Sequence, residues 1–117
     1  IFVKKIYFIV NCFNGQEYLR DCLDSILKQT YQNWEIVFWD NASTDASGTI
    51  AKSYGEKVRY FRSDVNIPLG RARKLAYDET RGNYVAILDA DDLWLPEKLE
   101  RQLALFQANA ELGLVYC

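Results

Sequence analysis

The sequence predicts an α/β fold of Rossmann-like type, a doubly wound and mainly parallel sheet with helices on both faces. Three observations predict it. Five short apolar runs rich in Val, Ile and aromatic residues lack the clean alternation of a half-solvated strand and read as strands buried on both sides: Lys5 to Asn11, Trp34 to Trp39, Val58 to Arg62, Tyr84 to Leu88 and Leu114 to Cys117. Segments with helical periodicity or helix start and stop signals separate them. The runs start about 24 to 30 residues apart, close to the length of a βαβ unit, so parallel strands joined by right-handed crossovers are the economical arrangement. With 117 residues, and no internal repeat, low-complexity tract or linker, positions 1–117 read as one domain.

Each connecting segment has its own signature. After the first strand, Tyr18, Leu19, Cys22, Leu23, Ile26 and Leu27 recur at helical spacing, with Asn14 and Glu17 three apart as a capping pair. A second helix is expected from Ser43 or Thr44, both good N-caps, to a stop at Gly55. The third is expected from about Leu69 to Glu79, stopping near Gly82. The fourth begins at Pro96, whose fixed φ suits a first turn, and carries Leu99, Leu103, Leu105 and Phe106 toward Ala108. The strand ending at Cys117 has nothing after it to cover its face, and the chain has no Met. A piece of a longer protein, with an exposed sheet edge and concentration-dependent self-association, is therefore the expectation.

Composition closes off several function classes. Fourteen basic against sixteen acidic residues, with no basic block, make nucleic acid a poor partner. No histidine is present, which excludes imidazole-based triads and leaves proton transfer to carboxylates, Tyr, Lys or Cys. Cys12, Cys22 and Cys117 are odd in number and lack C-x-x-C spacing, so they read as buried free thiols of a reducing cytoplasm rather than a disulfide or zinc framework. No run approaches the length of a membrane span.

Ligands of open α/β sheets bind outside the carboxyl ends of the strands, and here those ends are polar. The exits are Asn11 to Asn14, Asp40 to Asp45, Asp64 to Asn66, and Asp89 to Asp92. Turn and cap chemistry accounts for Asn14, Ser43, Thr44 and Asp45 without any ligand. Three carboxylates at one strand end, Asp89, Asp91 and Asp92, need a cation or strong donors to offset their repulsion. In an extended chain Asp89 and Asp91 face the same way while Asp92 turns aside. Oxygen donors of this kind suit Mg²⁺ or Mn²⁺ with coordination positions left for phosphate. Arg71, Arg73 and Lys74 occupy the first turns of the third helix, where the helix dipole does not favour cations; a nearby anion explains them, as does a solvated face with Lys74 paired to Asp78. Carboxylates that hold a metal beside an arginine that meets phosphate describe a nucleoside-diphosphate site.

Three stretches, FIVNCFNGQEYLRDCLDSILKQTYQNWEIVFWDNASTD, NIPLGRARKLA and GNYVAILDADDLWLPEKLERQLALF, resemble the N-terminal, nucleotide-binding half of a family 2 glycosyltransferase with the GT-A fold. Together they span nearly the whole chain, and D-A-D-D-L-W-L-P carries the most weight. The resemblance implies metal-dependent, inverting transfer of a sugar, from a nucleotide-diphosphate sugar and most readily a UDP-sugar, to a hydroxyl of a glycan or lipid-linked acceptor in cell-surface polysaccharide synthesis. It implies that the main chain from Val10 through Asn11 to Phe13 and Asn14 lines base and ribose, that Asp40 accepts from uracil N3–H, and that Arg73 meets base or diphosphate. The same resemblance implies that Asp89 and Ala90 lie on the ribose side of D-x-D, that Asp91 ligates Mn²⁺ or Mg²⁺ together with Asp89, and that the general base lies beyond Cys117. A cytoplasmic location follows, peripheral at the inner face of a membrane in the full-length protein.

The sequence departs from the family pattern in places. Asn11 and Cys12 stand where a proline often precedes the aromatic-Asn pair, and Phe13 replaces the usual tyrosine. Asn41 and Ala42 stand for Asp and Gly, while Pro68, Lys74 and Ala76 stand for Gly, Asn and Gly. Those departures leave open a catalytically inactive nucleotide-binding or interaction module on the same scaffold. A nucleotidyltransferase calls for a Gly-rich loop after the first strand, and a phospho-receiver domain for an acidic pair there; Asn11 to Gly15 fits neither.

Overall fold

A computed structural model describes residues 5–81 and 84–108, the last four by backbone alone. Four strands, β1 (Ile6–Cys12), β2 (Trp34–Asp40), β3 (Val58–Arg62) and β4 (Tyr84–Asp89), form one sheet in the order β3-β2-β1-β4. Every pairing is parallel, with Ile6 opposite Trp34 and Tyr84, and Ile36 opposite Val58. The expected α/β class and parallel winding are what the structure has. The expected fifth strand, Leu114 to Cys117, the stop at Gly82, the thiol of Cys117 and the side chains of Leu105 and Phe106 lie outside the described residues.

β1 lies between two strands and every one of its residues is buried, which is why its sequence runs apolar without alternation from Ile6 to Val10. Its alternate side chains feed two cores. Ile6, Phe8, Val10 and Cys12 pack with α1 (Leu19–Leu27), α2 (Ser47–Lys52) and α4 (Lys98–Ala108), through Leu19, Cys22, Leu23 and Ile26, Ala51, and Leu99 and Leu103. Phe8 meets Trp34 and Trp94 edge-on at 6.1 and 5.2 Å. Tyr7 and Ile9 face the opposite side with Val37 and with Ala76 of α3 (Leu69–Asp78). Helices therefore cover both faces. The α3 face is covered least beside β4, where Ile87 is 53% exposed.

Helix starts differ from the expected caps. α1 begins at Leu19, with the backbone N–H groups of Tyr18 and Leu19 both donating to the Gly15 carbonyl, so Asn14 and Glu17 do not form a capping box. α2 begins at Ser47 rather than Ser43 and ends before Gly55, which opens a 3-10 turn at φ 65°. α3 follows Pro68 as expected, and Pro96 sits in a turn two residues ahead of α4, its carbonyl accepting from Thr30 N–H. Gln29, buried just past α1, ties the two ends together by donating to the Ser25 and Leu95 carbonyls and accepting from Leu99 N–H. Among the described residues no helix is long and apolar enough to cross a membrane.

Candidate functional site

The chain runs from β1 outward through β2 to β3, then returns to place β4 on the other side of β1. That reversal opens a crevice at the carboxyl ends of β1 and β4. A cleft of about 390 Å³ occupies it, within the range of small-molecule sites. Its walls come from Asn11 to Gly15 after β1, Tyr18, Asn41 after β2, Leu69 at the start of α3, and Asp89 to Asp91 after β4.

Hydrogen bonds between the loops leaving β1 and β2 build one wall. Asn14, in the left-handed region at φ 51°, accepts at Oδ1 from the N–H groups of Thr44 and Asp45. In return Ser43 Oγ accepts from Asn14 N–H, Ser47 Oγ from Gly15 N–H, and Asp45 Oδ2 from Gln16 N–H. These side chains do satisfy orphan backbone donors, most of them across the two loops. Asp45 also caps Ser47 N–H at 2.9 Å. Burial opposes its ionisation, yet the Ser47 hydroxyl and the N–H groups of Ser47 and Gln16 outweigh that and hold its carboxyl below the usual range. Asn41 clamps the segment before α3: Nδ2 donates to the Ile67 carbonyl and Oδ1 accepts from Ile67 N–H. Ala42 takes φ 62°, the conformation for which glycine is favoured.

Asp40 lies behind this wall rather than in it. It is fully buried, and both oxygens are engaged: Oδ1 accepts from Ser43 N–H at 2.8 Å, and Oδ2 from the Tyr60 hydroxyl at 2.5 Å and Arg62 Nη1 at 2.9 Å. Arg62 Nη2 donates onward to the Ser43 carbonyl. Burial and the neighbouring Asp40 push the Tyr60 phenol up to about 12. Gly48 makes room for this contact, since a Cβ there would sit 2.7 Å from the Tyr60 hydroxyl. Burial and these donors close Asp40 off from the cleft.

The acidic wall differs from the extended geometry expected of it. β4 ends at Asp89 and the chain turns at once, with Asp92 N–H donating to the Asp89 carbonyl. Asp92 therefore folds back: its Oδ2 accepts from Asp89 N–H at 2.9 Å, and carboxylate oxygens of Asp89, Asp91 and Asp92 lie within 4.8 Å of one another. Asp92 belongs to the cluster that the sequence assigned to Asp89 and Asp91. Beneath it, burial first and then the charge of Asp92 raise the Cys22 thiol to about 12. Arg73 Nη2 reaches Asp89 Oδ1 at 3.1 Å, so the anion that accounts for a cation early in α3 is Asp89 itself. Lys74 pairs with Asp78 as expected.

Of the residues singled out in the sequence, Asn11, Phe13, Asn14, Asp89, Ala90 and Asp91 line the cleft. Val10 does not; its side chain is core and its backbone lies inside the sheet. Neither Asp40 nor Arg73 lines it. Cys12 and Asn41, which the sequence places among the strand exits, line it too, and so do Gly15, Tyr18 and Leu69, which it did not single out for the site. Tyr18 sits on the apolar stripe of α1 in sequence but is exposed, a mismatch that only the position of the helix start resolves.

The family model described as Glycosyl transferase family 2 matches residues 7–116. The chain is 40% identical over 119 residues to the glycosyltransferase GlyA of Streptococcus pneumoniae, covering 96% of this chain and 17% of that protein. Among solved structures, S. aureus TarS 1-349 in complex with UDP-GlcNAc superimposes with a TM-score of 0.85 at 27% identity, over 91% of this chain and 32% of that one. Mannosyltransferase PcManGT from Pyrobaculum calidifontis, in complex with GDP-Man and Mn²⁺, does so with a TM-score of 0.89 at 24% identity, over 99% and 36%, a likeness of fold. The chain thus spans about a sixth to just over a third of the length of these proteins.

Proposed function

We propose that this chain, which belongs to glycosyl transferase family 2, forms the nucleotide-sugar-binding subdomain of a metal-dependent, inverting glycosyltransferase that uses a UDP-sugar. The observation that carries the reading is the cluster of Asp89, Asp91 and Asp92, the first two of which line a cleft at the sheet's switch point. The donor set fits a hard divalent cation. Oxygens opposite each other on Mg²⁺ lie about 4.2 Å apart, so a spread of 4.8 Å closes with small side-chain movements. Asp91 and Asp89 are the proposed ligands of Mn²⁺ or Mg²⁺, with Asp92 fixing the turn that presents them. When bound, the cation offsets the charge that develops on the departing diphosphate.

The remaining lining follows the same logic. Phe13, Tyr18 and Leu69 expose apolar surface on which a base can lie. Asn14 holds the rim, and Ala90, with the main chain at Asn11, forms the floor beside Asp89. The UDP-GlcNAc complex of TarS supports uracil as the base. Asp40, engaged with Tyr60 and Arg62, is assigned to supporting the rim, with uracil contact only after one of those bonds opens. Residues beyond 117 supply the acceptor site, for a glycan or lipid-linked hydroxyl, and the carboxylate base.

The test is a thermal-shift titration with UDP, GDP and dTDP, each with and without Mn²⁺, on the native chain and on Asp91→Asn. Stabilisation by UDP that needs Mn²⁺ and vanishes in the variant is the expected result. Equal shifts with and without Mn²⁺, or none with any nucleotide, would favour a module of the same fold that has lost the chemistry.

A further inference from the structure

The buried carboxamides of Asn11 and Gln29 have opposite surroundings. Neither Nδ2 nor Oδ1 of Asn11 has a partner. Gln29 is 1% exposed and well satisfied: Nε2 donates to the Ser25 carbonyl at 3.2 Å and to the Leu95 carbonyl at 2.7 Å, and Oε1 accepts from Leu99 N–H at 3.0 Å. An apolar side chain would fill the same space without an amide to desolvate, so the worth of Gln29 lies in what it holds. It holds the far end of the segment that presents the acidic cluster. The near end is fixed by the sheet, where Asp89 is the register partner of Asn11 and Ala90 N–H donates to the Asn11 carbonyl. From there on the backbone leans on α1 and the turn after it. Cys22 Sγ donates to the Asp89 carbonyl at 3.6 Å, Ser25 Oγ accepts from Trp94 N–H at 3.2 Å, and Thr30 N–H donates to the Pro96 carbonyl at 2.8 Å. Cys22, Ser25 and Gln29 stand at i, i+3 and i+7, so they form one polar stripe along a face that otherwise builds the core. The segment's own apolar anchor is Trp94, edge-on to Phe8, while Leu93 and Leu95 on either side of it are 67% and 78% exposed.

We infer that Gln29 is a positioning residue for the cation site, its carboxamide fixing the far end of segment 89–95 and with it the separation of the Asp89, Asp91 and Asp92 carboxylates. The inference rests on the metal-site reading given above and deepens it. Asp91 and Asp92 lie between two fixed points. With the far one released, the turn is left to the bonds between Asp92 and Asp89, and three like charges within 4.8 Å push it open. A cation binds more tightly to carboxylates already gathered than to carboxylates it must gather. The amide is needed for its two-sided chemistry: a carboxylate in its place would set acceptors against the Ser25 and Leu95 carbonyls.

Titration of the full chain with Mn²⁺, the free ion read by electron paramagnetic resonance, tests it on the native protein, Gln29→Met, Ser25→Ala and Val58→Ala, at a temperature where the folded state dominates. Gln29→Met keeps an unbranched side chain of similar length and removes all three bonds; it should bind Mn²⁺ about fivefold or more weakly. Ser25→Ala takes the acceptor from Trp94 N–H, a smaller lesion, and should weaken Mn²⁺ about twofold. Val58→Ala opens a cavity in the same core on β3, the strand farthest from β4, and should lower the melting temperature with Mn²⁺ affinity unchanged. Native affinity in Gln29→Met, or a loss that Val58→Ala shares, would mean that Gln29 serves the fold alone, which overturns the inference while the cation site stands. If Gln29→Met does not fold, unchanged affinity in Ser25→Ala overturns it. Absence of Mn²⁺ binding by the native chain overturns both readings.

Discussion

Arg73 Nη2 lies 3.1 Å from Oδ1 of Asp89, so a guanidinium from the first turns of α3 already occupies a carboxylate of the acidic cluster. Both side chains are partly exposed, which limits the pair to about 0.2–1 kcal/mol. A cation binding at the cluster must compete with it. Arg73→Ala is therefore expected to raise the affinity for Mn²⁺ alone by up to about fivefold, read from free Mn²⁺ by electron paramagnetic resonance. Unchanged or weaker Mn²⁺ binding would mean that Arg73 positions Asp89 instead of competing for it.

Removing the Tyr60 hydroxyl leaves Asp40 Oδ2 with Arg62 alone. Tyr60→Phe should lower stability by about 1–3 kcal/mol in urea unfolding near neutral pH. The phenol is raised to about 12 in the folded chain against about 10 when unfolded. Its contribution is complete below about pH 10 and is lost as the pH climbs toward 12, so the gap between native and variant should narrow across that interval. A gap that is constant with pH would deny the phenol this role.

Ala42 at φ 62° holds a conformation that costs an L-residue roughly 1–2 kcal/mol, while glycine loses about 0.4–1 kcal/mol more than alanine to chain entropy. Ala42→Gly should raise stability by up to about 1.5 kcal/mol with nucleotide affinity unchanged. Destabilisation in a chemical melt would show that the alanine methyl makes a contact of compensating worth.

Cys22 is buried in the α1 core and its thiol is pushed up to about 12. It should resist iodoacetamide at pH 8 in the folded chain and label fully once unfolded, as followed by peptide mass spectrometry. Rapid native labelling would mean that α1 opens often enough to expose it.

The sheet and α1 were legible because their signals are local: β1 is apolar from Ile6 to Val10, as suits a strand with neighbours on both sides, and Leu19, Cys22, Leu23 and Ile26 mark one helix face. The acidic cluster was legible in membership but not in shape, since Asp92 folds back only because β4 stops at Asp89. Asn14, Ser43 and Asp45 carry the composition of helix caps, and nothing near them in sequence says that their partners lie about thirty residues away. The enclosure of Asp40 depends on Tyr60 and Arg62 arriving from β3, and the orphaned amide of Asn11 depends on what fails to arrive.

The lacing of residues 14–16 to 43–47 sets a constraint on how this surface can change. Each strand exit is cut to the length of the other, so a residue inserted or deleted in one would strip donors from both and loosen the wall as a whole. Diversification of the pocket is thereby channelled into side-chain replacement on this wall rather than into changes of loop length.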